Sequence, residues 1–140
     1  MLAHRESSVP FSYVHQGKPM GYAVDLCLRL AEAVRKKTGM KDMAVAFLQV
    51  TPENRMAMVE QGKADLECGS TTNNAERRER VAFTIPHFIT GTRLLMKASS
   101  KVTRMEDLAG KKLVSTRGTT AYKVAEKAAR ERLMGFTLLE

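Results

Sequence analysis

The sequence predicts an α/β fold with a mostly parallel sheet covered by helices. Short apolar runs alternate with longer stretches of three- and four-residue periodicity, and glycine or proline stands at the junctions. Composition agrees. Over 140 residues, hydrophobic side chains make up 44% and charged ones 27%. That is an ordinary globular balance, enough for one sizeable core or one core plus part of another.

Leu2 to His4 reads as the tail of a strand, followed by the polar loop RESSVPFSY from Arg5 to Tyr13. Gly21 to Lys37 predicts a helix, because Val24, Cys27, Leu28, Ala31 and Val34 recur on one face and Gly39 supplies a stop. Met43 to Val50 is apolar with β-branched and aromatic members, a strand. Thr51-Pro52 then opens a second helix, threonine as cap and proline at the first helical position, with Gly62 ending it. The segment ADLEC, Ala64 to Cys68, is the next strand.

The second half is less regular. Pro86 interrupts VAFTIPHF, and TGTRLLMK from Thr90 to Lys97 is strand-like and apolar at its centre. MEDLAGK predicts a short helical turn, KKLVST a strand, RGTTAYKVAEKAARERL a helix and FTLLE the start of a further strand. The small polar residues near Thr90 to Thr92 suit a hinge crossing between two parts.

The net charge is +8, from 23 basic and 15 acidic residues. Such a field favours anionic partners without choosing among nucleic acid, membrane and small anion. The basic residues are scattered: Arg35, Lys36 and Lys37 end one helix, Lys111 and Lys112 precede a strand, and Arg130 and Arg132 end another helix. Aromatic residues are only 6% and do not alternate with basic ones, which argues against a stacking platform for single strands. Nucleic acid is therefore not the expected partner. No run of about 18 apolar residues suggests a membrane span, and the first twenty residues, with His4, Arg5 and Glu6, lack the apolar core of a signal peptide. Cys27 and Cys68 have no metal-ligand spacing and read as two small buried hydrophobes, although a disulfide between them stays open. No metal site or cofactor is expected. His4, His15 and His87 fall in loop-like segments and read as surface or satisfied residues.

In an open α/β sheet, ligands bind beyond the carboxyl ends of the strands. Four segments follow strands here: RESSVPFSY, TPENR, GSTTNNAER and TRGTT. Each offers arginine, hydroxyls or both. A guanidinium fork suits bidentate carboxylate binding, and hydroxyls with helix-start amides complete the hydrogen bonding. Together they suggest a pocket for an anion with more than one carboxylate. The bland alternative for each is a solvated loop or an exposed helix face, Arg55 included. The stretch ECGSTTNNAERRER, from Glu67 to Arg80, poses that choice most sharply. No nucleophile elbow, zinc-protease helix motif or phosphate-binding glycine loop occurs, so a binding protein is expected rather than an enzyme.

HRESSVPFSY, GY with Asp25 shortly after, NR at 54–55, ECGSTTNNAER, GTRLL and DLAGK followed by RGTT resemble the solute-binding proteins of bacterial polar amino-acid ABC importers. Glutamate/aspartate binders within that family are the most similar. The match runs in order along nearly the whole chain. The resemblance implies a two-lobed periplasmic-binding-protein fold of type II. Lobe one would be residues 1–90, a hinge crossing 91–95, and an incomplete lobe two 96–140. It implies an acidic amino acid, glutamate or aspartate, held between the lobes and delivered to a permease in the inner membrane, with a signal peptide in the precursor and a periplasmic location. Carried over by motif, Arg77 would pair with the ligand α-carboxylate, Thr72 and Thr120 would assist it, and the Ser70 region would accept from the ammonium. Arg5 and Arg55 would hold the side-chain carboxylate. Within the same fold some relatives are dehydratases or sensor domains, which is the alternative function. Pro52 stands where relatives have a serine, and the family's later histidine and acidic residue have no counterpart before Glu140. With lobe two incomplete, the apolar faces of KKLVST and FTLLE lack cover, so self-association or weak binding by the isolated chain is expected.

Overall fold

The computed structural model describes residues 1–131 and 135–139. Arg132, Leu133 and Glu140, which the sequence reading placed in a helix and a strand, lie outside the described residues. The chain divides into two compact units, residues 1–84 and 85–140.

The first unit is built on three parallel strands, β1 (Leu2–Arg5), β5 (Phe47–Val50) and β6 (Leu66–Glu67), in the order β5-β1-β6. Leu2 pairs with Phe47 on one side and Leu66 on the other, and Ala3 pairs with Leu48 and Glu67. Side chains alternate across a strand, so Leu2 and Ala3 serve opposite faces. Leu2 joins Val24 and Cys68 in one buried cluster, with Cys27 and Leu66 against it. Ala3 joins Val50 and Ala64 in the other, with Leu48, Met58 and Val59. The first cluster is covered by α1 (Tyr22–Thr38) and the second by α2 (Arg55–Glu60). Fully burying a side chain such as Val24 is worth about 1.5–3 kcal/mol. The parallel sheet covered by helices, expected from the alternation, is present.

α1 ends as the sequence predicts, with Gly39 left-handed at φ 70°. Its start is different. No side chain caps it; the carbonyls of Pro10 and Phe11 accept from the amides of Tyr22 (3.0 Å) and Ala23 (2.9 Å). That approach is close enough to demand glycine. Gly21 has φ 124°, and a Cβ there would stand 2.5 Å from the Phe11 oxygen and 2.8 Å from the Pro10 oxygen. Gly21→Ala is therefore expected to destabilise the fold by about 1–3 kcal/mol or more. Urea unfolding checks this, and an unchanged midpoint contradicts it.

Three corrections concern the first unit. RESSVPFSY is not a plain loop: it carries β2 (Ser7–Ser8) and the start of β3 (Ser12–His15), which with β4 (Lys18–Met20) form an antiparallel meander. The β3–β4 turn has Gln16 at φ 49° and Gly17 at φ 74°, the two positive values a tight hairpin requires. His4 is not in a loop: it is a buried member of β1, with Phe47 edge-on at 5.9 Å and its Nδ1 3.1 Å from the Arg5 carbonyl. Thr51 does act at the start of the second helix. Its hydroxyl accepts from the Asn54 amide (3.3 Å), while the Asn54 side chain accepts from the Thr51 amide (2.8 Å). Regular α2 begins only at Arg55, after a turn.

Cys27 and Cys68 are not separate thiols; they form a disulfide with Cα atoms 6.1 Å apart. The bond ties α1 to the residue after β6, beside the first cluster. The burial expected from sequence holds for Cys68 and in part for Cys27.

In the second unit, a 3-10 turn at Met105–Leu108 precedes β7 (Lys112–Val114), α4 (Thr120–Glu131) and β8 (Thr137–Leu139). The turn is fixed by Asp107, whose carboxylate accepts from the amides of Thr103 (2.8 Å) and Arg104 (3.0 Å). β7 and β8 pair in parallel, from Lys112↔Thr137 to Val114↔Leu139, the strand-helix-strand unit the sequence predicts. Leu108, Ala125 and Phe136 are its buried apolar side chains among the described residues. TGTRLLMK, expected as a strand, is irregular, and Leu95 is fully exposed. Its apolar pattern suits a strand, but among the described residues no neighbouring strand supplies a ladder of hydrogen bonds to it.

Candidate functional site

Three adjacent parallel strands deliver their carboxyl ends to one edge of the sheet in the first unit. β1 ends at Arg5, β5 leads through the turn at 51–54 to Arg55, and β6 ends at Glu67. Topology alone thus gathers charged side chains from distant parts of the sequence.

Arg5 is half-buried, and its amide donates to the Ser12 hydroxyl at 2.9 Å, Ser12 being wholly enclosed. That bond locks the end of β1 to β3. Arg55 is the most unusual residue of the group. It is only 2% exposed, and its Nε and Nη1 have no hydrogen-bond partner. A buried guanidinium without acceptors is expensive to maintain. Burial pulls its pKa down to about 10; Glu67 pushes back up, while Arg77 and Arg5 push further down. The bland alternative for Arg55, an exposed helix face, therefore does not hold. The first turn of α2 lies directly beyond the strand edge, so its side chain is enclosed.

Glu67 is the acidic member. Burial raises its carboxyl above the usual glutamate range, opposed by the charges of Arg55, Arg5 and Arg77 and by the nearby Thr71 hydroxyl. Neither Glu67 Oε1 nor Thr71 Oγ1 completes a hydrogen bond. Gly69 makes room for this carboxylate: a Cβ there would collide with Glu67 Oε1 and lie 3.3 Å from Arg5 Cγ. A side chain at position 69 would make the Glu67 carboxylate shift from this position.

The stretch after β6 turns back over this edge. Ser70 Oγ lies 2.8 Å from Ser8 Oγ, tying the stretch to β2. Asn74 caps the short α3 (Ala75–Arg78) by accepting from the Arg77 amide at 2.9 Å. Arg77 Nη1 donates to the Thr72 carbonyl at 3.0 Å, which fixes one side of its fork. Arg77 is half-buried, and desolvation lowers its pKa against the pull of Glu76 and Glu67. Arg78 and Arg80 are exposed. Arg78 donates to the Asn73 side chain (2.9 Å), and Arg80 pairs with Glu60 (2.5 Å).

Arg5, Arg55, Ser70, Thr72 and Arg77 all belong to the first unit, with the three arginines acting electrostatically on one carboxylate. Thr120 belongs to the second unit, where it opens α4. The cap of that helix is the preceding Thr119, whose hydroxyl accepts from the Tyr122 amide at 3.1 Å. Glu67 escaped the sequence reading because it reads as part of the short strand ADLEC and not of the polar loop that follows. The signal was an acidic residue two positions before a glycine that opens a polar, arginine-bearing loop.

The family model for bacterial extracellular solute-binding proteins, family 3, matches residues 1–134. The chain is 41% identical over 140 residues to an L-glutamate/L-aspartate-binding protein of Pseudomonas aeruginosa, covering 99% of this chain and 46% of the relative. It is 42% identical to a glutamate/aspartate import solute-binding protein of Salmonella typhimurium, with the same coverage. The chain thus spans about half the length of these curated relatives. Among solved structures it resembles an ancestral amino acid-binding protein described as a precursor of cyclohexadienyl dehydratase. The TM-score is 0.76 and the identity 27%, over 98% of this chain and 58% of that one. With the parallel sheet, the arginines at its edge and this similarity in hand, the chain belongs to the bacterial extracellular solute-binding proteins of family 3.

Proposed function

We propose that this chain is part of the periplasmic substrate-binding component of an ABC importer, and that its first unit recognises an acidic amino acid, glutamate or aspartate, for delivery to a permease. One observation carries the reading: Arg55 is buried with two guanidinium nitrogens lacking acceptors, beside Arg5 and Arg77. Carboxylate oxygens supply acceptors for such nitrogens. Arg5 and Arg55 receive the side-chain carboxylate and Arg77 the α-carboxylate, with Thr72 and Ser70 bounding the amino-acid end. The names of the relatives as glutamate/aspartate binders support the same ligand class. The protein acts by binding, without chemistry on its ligand.

Calorimetric titration of the chain with L-glutamate, L-aspartate, L-glutamine and L-leucine tests the reading. A neutral side chain leaves a buried guanidinium unpaired, a loss of about 1.5–3 kcal/mol, so acidic ligands are expected to bind about 10- to 100-fold more tightly than glutamine. Equal affinity for glutamine would overturn the dicarboxylate assignment.

A further inference from the structure

The same cluster contains a charge that a pocket for acidic ligands does not obviously need. Glu67 is a carboxylate placed among the very guanidiniums assigned to the carboxylates of the ligand. It faces Arg5 from β1, Arg55 from α2 and Arg77 from α3, with the Thr71 hydroxyl beside it. The outer carboxylates, Glu53 and Glu76, act on Arg55 and Arg77 respectively. Gly69 leaves the space that Glu67 Oε1 occupies, and that oxygen is buried without a donor. The arrangement is built around the glutamate. An acidic amino acid bound here would therefore share these guanidiniums with Glu67.

We propose that Glu67 is an internal counter-ion of the pocket that takes up a proton when an acidic ligand binds, so that ligand uptake is coupled to proton uptake. The inference rests on the reading of the site given above. In the empty pocket burial raises the pKa of Glu67, and the three arginines favour its charged form against that burial. Arriving carboxylates engage the same arginines, and the ligand, two carboxylates and one ammonium, adds a net negative charge beside it. Its charged form then loses support on both counts. By reciprocity, a ligand that raises the proton affinity of Glu67 binds more tightly where Glu67 is protonated. Affinity for glutamate should therefore rise as pH falls through the range just above the usual glutamate pKa. The carboxyl groups of the ligand itself stay ionised there. Glu67 is in this sense a positioning residue: it acts on the guanidiniums without touching the ligand.

Titrating the chain with L-glutamate in two buffers of different ionisation heat counts the protons directly. The expected result is net proton uptake for the wild type and none for Glu67→Gln. At neutral pH the variant is expected to bind glutamate about tenfold more tightly, with affinity independent of pH above about 5.5, where free carboxyl groups no longer titrate. If Glu67 only props Arg55 in place, Glu67→Gln weakens binding and leaves the pH profile of the wild type intact; that outcome overturns the inference. Binding heat without proton uptake in the wild type overturns it as well, while leaving the acidic-ligand assignment standing. No binding of glutamate by the wild type at any pH, with a neutral amino acid bound instead, overturns that assignment and this inference together.

Discussion

Replacing Cys27 and Cys68 by serine is expected to lower the unfolding free energy of the first unit by about 4 kcal/mol. The bond closes a loop with a sequence separation of 41 residues, and the chain-entropy model gives about 4 kcal/mol for a loop of that size. The effect acts largely through the unfolded chain, so it should appear as a lower denaturation midpoint with the native fold retained. Denaturant unfolding of the oxidised wild type beside the double variant measures it. A shift of under about 1 kcal/mol would mean that the disulfide closes nothing the sheet does not already hold. Sulfur ties of this kind persist in oxidising compartments, which fits the extracellular setting of the family and the periplasmic location proposed here.

Arg77→Ala is expected to weaken binding of glutamate by about 2–5 kcal/mol, the range for a buried charge pair that loses one member. Arg78→Ala, one residue along the same short helix, is expected to change affinity by no more than about 0.5 kcal/mol, the usual scale for an exposed substitution. The contrast arises from α3 and its cap. Asn74 fixes the start of the helix, and Arg77 then lies over the strand edge while Arg78 reaches back to Asn73 in the open. Reversed effects in the two variants would mean that the inward arginine has been assigned one position off.

The elements that repeat a strong local pattern were legible in the sequence. α1 carries five apolar residues on one face and a glycine stop. The parallel alternation of β1, β5 and β6 follows from apolar runs separated by helices. Elements fixed by a single turn were not. The β2–β3–β4 meander depends on positive φ at Gln16 and Gly17, and polar strands such as Ser7–Ser8 carry no hydrophobic alternation to announce it. TGTRLLMK shows the reverse error: its residues suit a strand, but a strand also needs a neighbour, which local sequence does not reveal. At the site, the arginines were legible because each follows a strand in a polar segment. The burial of Arg55 was not, since it depends on how closely the first turn of α2 sits beyond the sheet edge. Glu67 was hidden for the same reason, because its importance lies in what three distant segments bring beside it. The Cys27–Cys68 bond required the three-dimensional placement of α1 against β6.

The central claim is that the three arginines divide the two carboxylates of an acidic amino acid between them. A crystal structure of the chain grown with L-glutamate tests it most directly. The expected result is a side-chain carboxylate within about 3 Å of the guanidiniums of Arg5 and Arg55, accepting from a vacant nitrogen of Arg55, with the α-carboxylate at similar range from Arg77. Glutamate bound with its side-chain carboxylate directed away from Arg55, so that Nε and Nη1 still lack acceptors, would contradict the account.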